Sequence, residues 1–324
     1  MVKKATAIAH TMQGLLKYHG LKDYDLRIPF HDSISVNLEA LWTKTTVEFG
    51  NWENDSLIIN GKDQKNDTLQ RALSIINIVR SLSKIEEKVI ITSENSLTFG
   101  EVKGLGFSSS AGAALAAAAF KAAKLNSIYN WDLKMISKIA RRLAGSACRS
   151  VVGEYARWYA GDNDDNSFAE KIATKDNLDL HMLAIPMPSV HTTEIAHKEV
   201  ISSNFFQARI DSVNIRLEKI QQSILKGDLE QLGKLVEEDS LELHALTMTG
   251  KNKMILFNSK SLQIIQLIKK KQKEGRSIYF SMQTGPSVFV NGYSEDINEL
   301  YEEIVDLNIK VIKSRIGGSV RIIN

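Results

Sequence analysis

The sequence predicts an α+β protein made of two domains. Its 324 residues exceed the usual size of a single hydrophobic core. Segments typical of strands and of amphipathic helices follow one another along the chain, which favours layers of helix and sheet in each domain. A polar turn at 163–167 and the segment near residue 176 indicate a boundary between domains 1–176 and 177–324.

The first domain is expected to begin with strands over much of residues 5–50. β-Branched and alternating residues predict individual strands at 33–38, 45–49, 57–62 and 88–96. Helices are predicted at 66–84, 111–124 and 131–145, the last ending at a glycine. The alanine-rich run 111–120 is too short to cross a membrane, so it predicts a buried helix.

The second domain shows the same mixture of patterns. Strands are predicted at 180–187, 277–282, 287–292, near 308–313 and at 319–323. The long amphipathic segment 205–238 predicts one or two helices, and further helices are expected at 261–275 and 294–306. We find no internal repeat.

Composition excludes several classes of protein. Lys plus Arg number 41 and Asp plus Glu 38, a net charge of +3, which is too balanced for a dedicated nucleic-acid binder. Cys148 is the only cysteine, so no intrachain disulfide can form. The N-terminus lacks the apolar core of a signal peptide, so we expect a cytoplasmic protein. His191 and His197 have no third ligand nearby in sequence, and no zinc site is expected.

A glycine- and serine-rich segment, GLGFSSSAGAA (104–114), is the first candidate for binding chemistry. Small residues let backbone amides approach a phosphate, and the dipole of the following helix favours an anion at the same point. Ser108, Ser109 and Ser110 supply further donors. No Gly-Lys-Ser/Thr follows, so this is not a Walker loop. From this segment alone, an ordinary tight turn is slightly favoured over a binding loop.

Three other segments place cations or hydroxyls where an anion can bind. Arg149 lies among small residues in AGSACRSVVGEYARW (144–158), which suits bidentate binding of a carboxylate or phosphate. Lys17 and Tyr18 follow a predicted strand, and Thr192 and Thr193 lie near a helix start. Each has a structural alternative: an arginine that ties helix ends together, a solvated lysine, and a half-buried tyrosine.

Together, in order and spacing, these segments resemble the diphosphomevalonate decarboxylases of the GHMP kinase superfamily. LLKYHG and SISVNL are similar to the family's Lys-Tyr-Trp-Gly-Lys and Ser-Ile-Ser-Val-Thr-Leu, and GLGFSSSAG is similar to its Gly-Leu-Ala-Ser-Ser-Ala loop. GSACRS is similar to Gly-Ser-Ala-Cys-Arg-Ser, and YFSMQTGPSV (279–288) to Tyr-Phe-Thr-Met-Asp-Ala-Gly-Pro-Asn. The segment 189–206 and LELHAL (241–246) resemble Ser-Thr-x-Gly-Met and Met-His-Ala-Thr. The likeness covers nearly the whole chain.

The resemblance implies a two-domain GHMP kinase fold. Its N-terminal domain is expected to be like domain 2 of ribosomal protein S5, its C-terminal domain ferredoxin-like, with the site in the cleft between them. By the same resemblance Lys17 and Arg149 are catalytic and face the reacting end and the carboxylate. Tyr18 and Thr193 hold the phosphate tail, and Ser146 lies at a phosphate end.

The departures from the family pattern concern phosphoryl transfer. Gln283 replaces the aspartate expected to activate the 3-hydroxyl, and glutamine cannot accept a proton at neutral pH. Leu21 replaces a lysine, with Lys22 adjacent as a substitute. Ala144 and Met12 replace a serine and an asparagine.

The resemblance and these departures together predict a carboxy-lyase that converts mevalonate 3,5-bisphosphate to isopentenyl phosphate, CO2 and phosphate. No cofactor is expected, and the branch implied is the archaeal mevalonate 3,5-bisphosphate decarboxylase. The alternatives are an ATP- and Mg²⁺-dependent diphosphomevalonate decarboxylase, a mevalonate 3-kinase, and a catalytically silent anion-binding protein. We expect a homodimer with a small-molecule substrate and neither nucleic-acid nor membrane partners.

Overall fold

The chain folds into two β-sheets covered by helices, in a computed structural model that describes residues 3–97, 104–189 and 193–323. Two long antiparallel strands, β1 (Lys3–Leu16) and β4 (Ser33–Gly50), lie at the centre of the larger sheet. Between them a short hairpin contains β2 (Leu21–Asp23) and β3 (Ile28–Pro29). The other strands of the larger sheet are β5 (Ser56–Ile59), β6 (Lys62–Gln64), β7 (Lys88–Asn95), β8 (Tyr155–Tyr159), β9 (Phe168–Ala173) and β14 (Arg321–Ile323).

These strands are arranged in the order β14-β1-β4-β7-β5-β6, and β8 pairs with both β4 and β9. From Leu41 to Gly50, buried residues alternate with half-buried ones along β4. This period of two places Val47 and Phe49 on the face that meets the helices, so one face of the sheet carries the core. The predicted strands at 33–38 and 45–49 are parts of this one continuous strand.

Five helices of the described chain follow β6 and precede β8. They are α1 (Asn66–Ser83), α2 (Phe107–Ala122), α3 (Asn126–Tyr129), α4 (Leu133–Arg141) and α5 (Ala147–Val152). The alanine-rich α2 lies against β1 and β4, and its residues 113–119 are buried, as predicted. Small side chains allow this close packing: a Cβ added at Gly112 would lie 2.7 Å from the Cβ of Ala147. No helix in the described ranges is long and apolar enough to cross a membrane.

The smaller sheet has the antiparallel order β11-β12-β10-β13. Its strands are β10 (His181–Ile185), β11 (Ile278–Met282), β12 (Val288–Gly292) and β13 (Ile312–Ser314). The helices of this half are α6 (Thr193–Ile201), α7 (Phe206–Lys226), α8 (Leu229–Thr249), α9 (Ser259–Lys273) and α10 (Ser294–Asp306). The long amphipathic segment therefore contains two helices, because Gly227 adopts a left-handed conformation (φ 71°) that ends α7.

Two helix boundaries differ by four residues from the sequence prediction. Helix α2 begins at Phe107 rather than at residue 111, since Gly106 in a left-handed conformation (φ 81°) precedes its first turn. Helix α4 ends at Arg141 rather than at 145. The chain turns there so that Gly145 lies against an aromatic side chain: a Cβ at Gly145 would come within 2.7 Å of Trp158.

The two sheets share one region of core. Leu15 and Leu16 of β1 belong to the same apolar cluster as Met182 of β10 and Leu217 of α7. The expected boundary at residue 176 falls between β9 and β10. The last strand, β14, however, pairs with β1 in the larger sheet, so the C-terminal residues return to the first half of the fold.

Candidate active site

A cavity of about 380 Å³ opens between the end of β1, the start of α2, the turn from α4 to α5, and the start of α6. Its size is that of a small-molecule site. The residues that line it come from distant parts of the chain: Met12, Lys17, Tyr18, His19, Arg27, Arg71, 104–109, 144–146, Arg149, Thr193, Glu194, His197, Gln283 and Thr284.

Lys17 is the first residue after β1, and the strand places it. The pairing of β1 with β4 shifts between Gly14 and Leu16, and such a bulge re-aims the following side chain. A Cβ at Gly14 would lie 2.9 Å from Cγ of Lys17, so a glycine leaves room for the lysine to cross the strand. The solvated lysine considered from the sequence is therefore not what the structure contains: Lys17 is 3% exposed.

The buried ammonium of Lys17 is held by helix α8. Nζ donates a hydrogen bond to Oγ of Ser240 at 2.8 Å and lies 3.5 Å from Oδ2 of Asp239. The backbone N–H of Lys17 also donates to Oδ2 of Asp239, at 3.0 Å. Burial lowers the pKa of Lys17 to about 8, and the charge of Asp239 limits the decrease. At neutral pH the ammonium therefore keeps its proton.

Asp239 is in turn paired with Arg209. The guanidinium donates to Oδ1 of Asp239 at 2.9 Å and to the carbonyl oxygen of Lys17 at 2.6 Å. Burial alone would raise the pKa of Asp239, but Arg209 and Lys17 hold it below its ordinary value. Our sequence prediction missed Asp239, although a signal was present. Asp239 occupies a core position of α8, in phase with the buried Val236 and Leu243.

Arg149 lies on α5 and is 1% exposed. Its Nε and Nη1 have no hydrogen-bond partner in the described part of the chain. Burial lowers the pKa of the guanidinium, and no carboxylate is among the groups that act on it. A buried cation without an anion is unfavourable, so the arrangement is that of a site completed by an anionic ligand.

Tyr18 contacts aromatic and cationic side chains at the cavity wall. Its ring contacts Trp158 edge-to-face with centroids 4.7 Å apart, and it stacks on His197 at 5.0 Å. The guanidinium carbon of Arg149 lies 5.5 Å from the Tyr18 ring centroid, within the range of a cation–π contact. Burial raises the pKa of Tyr18, so its hydroxyl stays protonated and can donate a hydrogen bond.

The four predicted serines divide into two groups. Ser108, Ser109 and Ser146 line the cavity, and the hydroxyls of Ser109 and Ser146 lie 2.5 Å apart. Ser110 does not line it, because its hydroxyl contacts Thr43 at 2.7 Å in the core. In a loop all three consecutive serines could face one ligand. In the first turn of α2 they are about 100° apart around the axis, and Ser110 faces the sheet.

The start of α6 supplies Thr193, which lines the cavity, whereas Thr192 and His191 lie outside the described residues. Sequence analysis missed two cations of the wall, Arg27 and Arg71. They come from the β2–β3 hairpin and from α1, and neither lies in a recognisable motif. Glu194, 3.5 Å from Arg27, is the one carboxylate among the described lining residues.

Three of the four departures from the family pattern lie at the cavity. Gln283, Ala144 and Met12 all line it. Leu21 is buried elsewhere, and Lys22 is exposed and does not line it, so Lys22 does not replace the missing lysine.

Cys148 adjoins Arg149 in sequence but does not line the cavity. Its thiol is buried and lies 3.0 Å from the carbonyl oxygen of Gly145, to which it donates a hydrogen bond. Burial raises the pKa of Cys148 to about 12, so the thiol is not a nucleophile at neutral pH. Within the described ranges, no group of three His, Cys, Asp or Glu side chains has the geometry of a metal site.

The chemistry of the cavity is that of an anion site. Lys17, Arg27, Arg71 and Arg149 line it, and the amino-terminal end of α2 is directed at it. Buried charges act more strongly here than in water. Gln283 is the side chain opposite Gly14, and it cannot serve as a base. The site can therefore bind a small polyanion and stabilise negative charge that develops on it.

Protein-family models match both the N-terminal and the C-terminal part of the chain. Residues 9–169 match the diphosphomevalonate decarboxylase-like N-terminal domain, and residues 188–314 match the mevalonate 5-diphosphate decarboxylase C-terminal domain. The chain is 34% identical to a phosphomevalonate decarboxylase of Haloferax volcanii, over 99% of this chain and 98% of that protein. It is 31% identical to a diphosphomevalonate decarboxylase of Debaryomyces hansenii, over 92% and 81%.

Solved structures give the same result for the fold. The mevalonate diphosphate decarboxylase of Enterococcus faecalis superimposes with a TM-score of 0.92 at 29% identity, over the whole of both chains. The Staphylococcus aureus enzyme has a TM-score of 0.93 at 29% identity, over 100% of this chain and 99% of that one. The predicted two-domain GHMP kinase fold is thereby confirmed.

Proposed function

We propose that this chain, which belongs to the diphosphomevalonate decarboxylase family, decarboxylates mevalonate 3,5-bisphosphate without ATP. That it acts as a carboxy-lyase on a phosphorylated mevalonate follows from its full-length relatives. The number of phosphates and the independence from ATP are our inference. It rests on one observation: Gln283 lines the cavity where the family resemblance expects a base, while Lys17 and Arg149 are retained.

The reaction is an elimination that needs no proton transfer from carbon. The C1–C2 bond breaks and its electrons form the C2=C3 double bond. The C3–O bond breaks, and its electrons leave with the 3-phosphate. CO2, phosphate and isopentenyl phosphate account for all the atoms.

Negative charge moves during this step from the carboxylate to the leaving phosphate. Cations near the phosphate therefore stabilise the transition state more than they stabilise the ground state. In our proposal Lys17 and the start of α2, with Ser108 and Ser109, stabilise the leaving 3-phosphate. Ser146 supports a phosphate end beside them.

Arg149 has a different role in this proposal. Its planar guanidinium holds the carboxylate in the plane from which the C1–C2 bond can break, so its main contribution is orientation. Tyr18 and Thr193 hold the 5-phosphate, and Thr192 is proposed to join them. None of these steps requires a metal or a nucleotide.

A second candidate is ATP-dependent decarboxylation of a 5-phosphorylated mevalonate. The observation in its favour is a smaller, more apolar cavity of about 150 Å³ that shares Arg71 and Ser108 with the main one. A solved relative was studied in complex with a nucleotide analogue and magnesium. Against this candidate, 3-phosphorylation needs activation of a tertiary hydroxyl, and Gln283 cannot supply a base.

The deciding experiment measures CO2, phosphate and ADP. The protein is incubated with mevalonate 3,5-bisphosphate, mevalonate 5-phosphate and mevalonate 5-diphosphate, each with and without ATP and Mg²⁺. We expect CO2 and phosphate from the 3,5-bisphosphate alone, at a rate that ATP does not change. A strict requirement for ATP with stoichiometric ADP would restore the ATP-dependent reaction, and ADP without CO2 would identify a 3-kinase.

The variant Gln283→Asp sharpens this test. An ATP-dependent enzyme that lacks only its base should gain activity from the restored carboxylate. In our proposal the same change places a negative charge near the leaving phosphate and slows the reaction. The cytoplasmic location and the homodimer are further proposals, and light scattering in solution tests the latter.

A further inference from the structure

His197 lines the cavity and, beyond its stacking contact with Tyr18, has no part in the reaction proposed above. It lies on α6 one helical turn after Thr193, so both side chains are on the same face of that helix. The imidazole is 4% exposed and stacks on Tyr18 with an interplanar angle of 21°. Packing thus fixes the plane of the ring at the wall of the site.

The protonation state of this ring is set by the backbone. The N–H of Gly20 donates a hydrogen bond to Nδ1 of His197 at 3.1 Å, so Nδ1 carries no proton. Burial lowers the pKa of His197 to about 4, which leaves a neutral imidazole with its proton on Nε2. Gly20 has a left-handed backbone (φ 78°), and a Cβ there would lie 2.9 Å from Ile201 on the same helix.

Nε2–H is therefore a donor with a fixed direction, and it donates no side-chain hydrogen bond to the described ranges of the chain. At the cavity wall this donor is free to bind an oxygen atom of a ligand. Arg27 and Glu194 are the charged groups that act on the ring. The wall already carries four cations, and another positive charge would be repelled by them, whereas a neutral donor would not.

We propose that His197 binds a terminal oxygen of the substrate's 5-phosphate through Nε2–H, next to Thr193. This inference rests on the proposed function only in that the ligand is a phosphate monoester. Mevalonate 5-phosphate is a suitable probe, because it carries the phosphate tail shared by the candidate substrates and does not react without ATP. Its dissociation constant can be measured by calorimetry whether or not the 3,5-bisphosphate is turned over.

Two substitutions separate ligand binding from a structural role. Asparagine in His197→Asn places an amide oxygen near the position of Nδ1, so it keeps the contact with Gly20 and loses the donor. Glutamine in His197→Gln places an amide nitrogen near the position of Nε2, so it keeps a donor and loses that contact. His31→Asn is the matched control, because His31 is also buried with a pKa lowered to about 4, but does not line the cavity.

We expect His197→Asn to weaken binding of mevalonate 5-phosphate by about tenfold to a hundredfold, the loss of one hydrogen bond to a charged group. His197→Gln should recover part of that loss, and His31→Asn should bind like the wild type. In turnover, His197→Asn should raise KM more than it lowers kcat, since the tail is remote from C1 and C3. Unchanged affinity in His197→Asn, or weaker affinity in His197→Gln than in His197→Asn, would overturn the proposal. Absence of CO2 release by the wild type would instead refute the proposed reaction.

Discussion

Replacing Asp239 with asparagine is the most direct test of how Lys17 is kept charged. The two groups lie 3.5 Å apart in the interior, and Asp239 is fully buried. At an effective dielectric constant of about 20, this separation corresponds to roughly 5 kcal/mol. One pH unit is equivalent to about 1.4 kcal/mol, so loss of the carboxylate charge should lower the pKa of Lys17 by up to about three pH units.

The sign of the effect on activity follows from the role of the ammonium. In the proposed reaction turnover needs protonated Lys17, so activity should be lost as the pH rises through its pKa, which is about 8 in the wild type. In Asp239→Asn the same loss should occur roughly two to three pH units lower, and little activity should remain at neutral pH. The assay is CO2 release from pH 5 to 10, with kcat/KM plotted because it reports the free enzyme.

Glu242→Gln is the control for a general disturbance of this charge network. Glu242 accepts hydrogen bonds from Arg209 and Arg216 at 2.7 and 2.6 Å, as a second carboxylate beside the same arginines. It has no contact with Lys17 among the described residues, so its removal should leave the alkaline limb in place. An alkaline limb that coincides in Asp239→Asn and wild type, with both proteins folded, would refute this account of Lys17.

Three further outcomes are expected. Arg149→Lys should lower kcat by about a hundredfold or more, because lysine keeps the charge but loses the planar fork. Turnover within a few-fold of the wild type, with a normal melting curve, would contradict the proposed role of Arg149. Cys148→Ala should retain most activity, since the thiol is buried away from the cavity, and an inactive but folded variant would favour a thiol mechanism. Lys17→Met should abolish turnover yet raise the free energy of unfolding at pH 7 by up to about 3 kcal/mol. The folded-state pKa of about 8 lies below the ordinary 10.5, so the charged lysine destabilises the fold, and this cost shrinks as the pH rises between those values; urea denaturation showing a less stable Lys17→Met would contradict this.

Sequence alone indicated those site residues whose immediate neighbours in the chain form a recognisable pattern. Lys17 directly after a strand, and Arg149 among small residues, are local patterns that a single sequence can show. Ser109 was also predicted from a local motif and Ser146 from the family resemblance, and the contact between their hydroxyls at 2.5 Å links α2 to the turn before α5. The order of most strands and helices followed from local periodicity, because side-chain burial repeats every two or 3.6 residues, but β8, β9 and α5 were not predicted.

Tertiary structure decided what distant segments contribute. The phase of α2 turns Ser110 into the core and leaves Ser108 at the cavity, a distinction that depends on where the helix begins. Arg27 comes from a hairpin whose sequence resembles an ordinary solvated segment, and Asp239 comes from the apolar face of a helix whose sequence does not show which groups that face meets. Their charges matter because folding removes water from them and places them beside Lys17 or the cavity. The tautomer of His197 is set by an amide 177 residues earlier in the chain, since only the fold brings Gly20 to the ring. Sequence thus determined which charged and polar side chains the protein has. Packing determined which of them lie together in the buried site, where water screens their charges weakly.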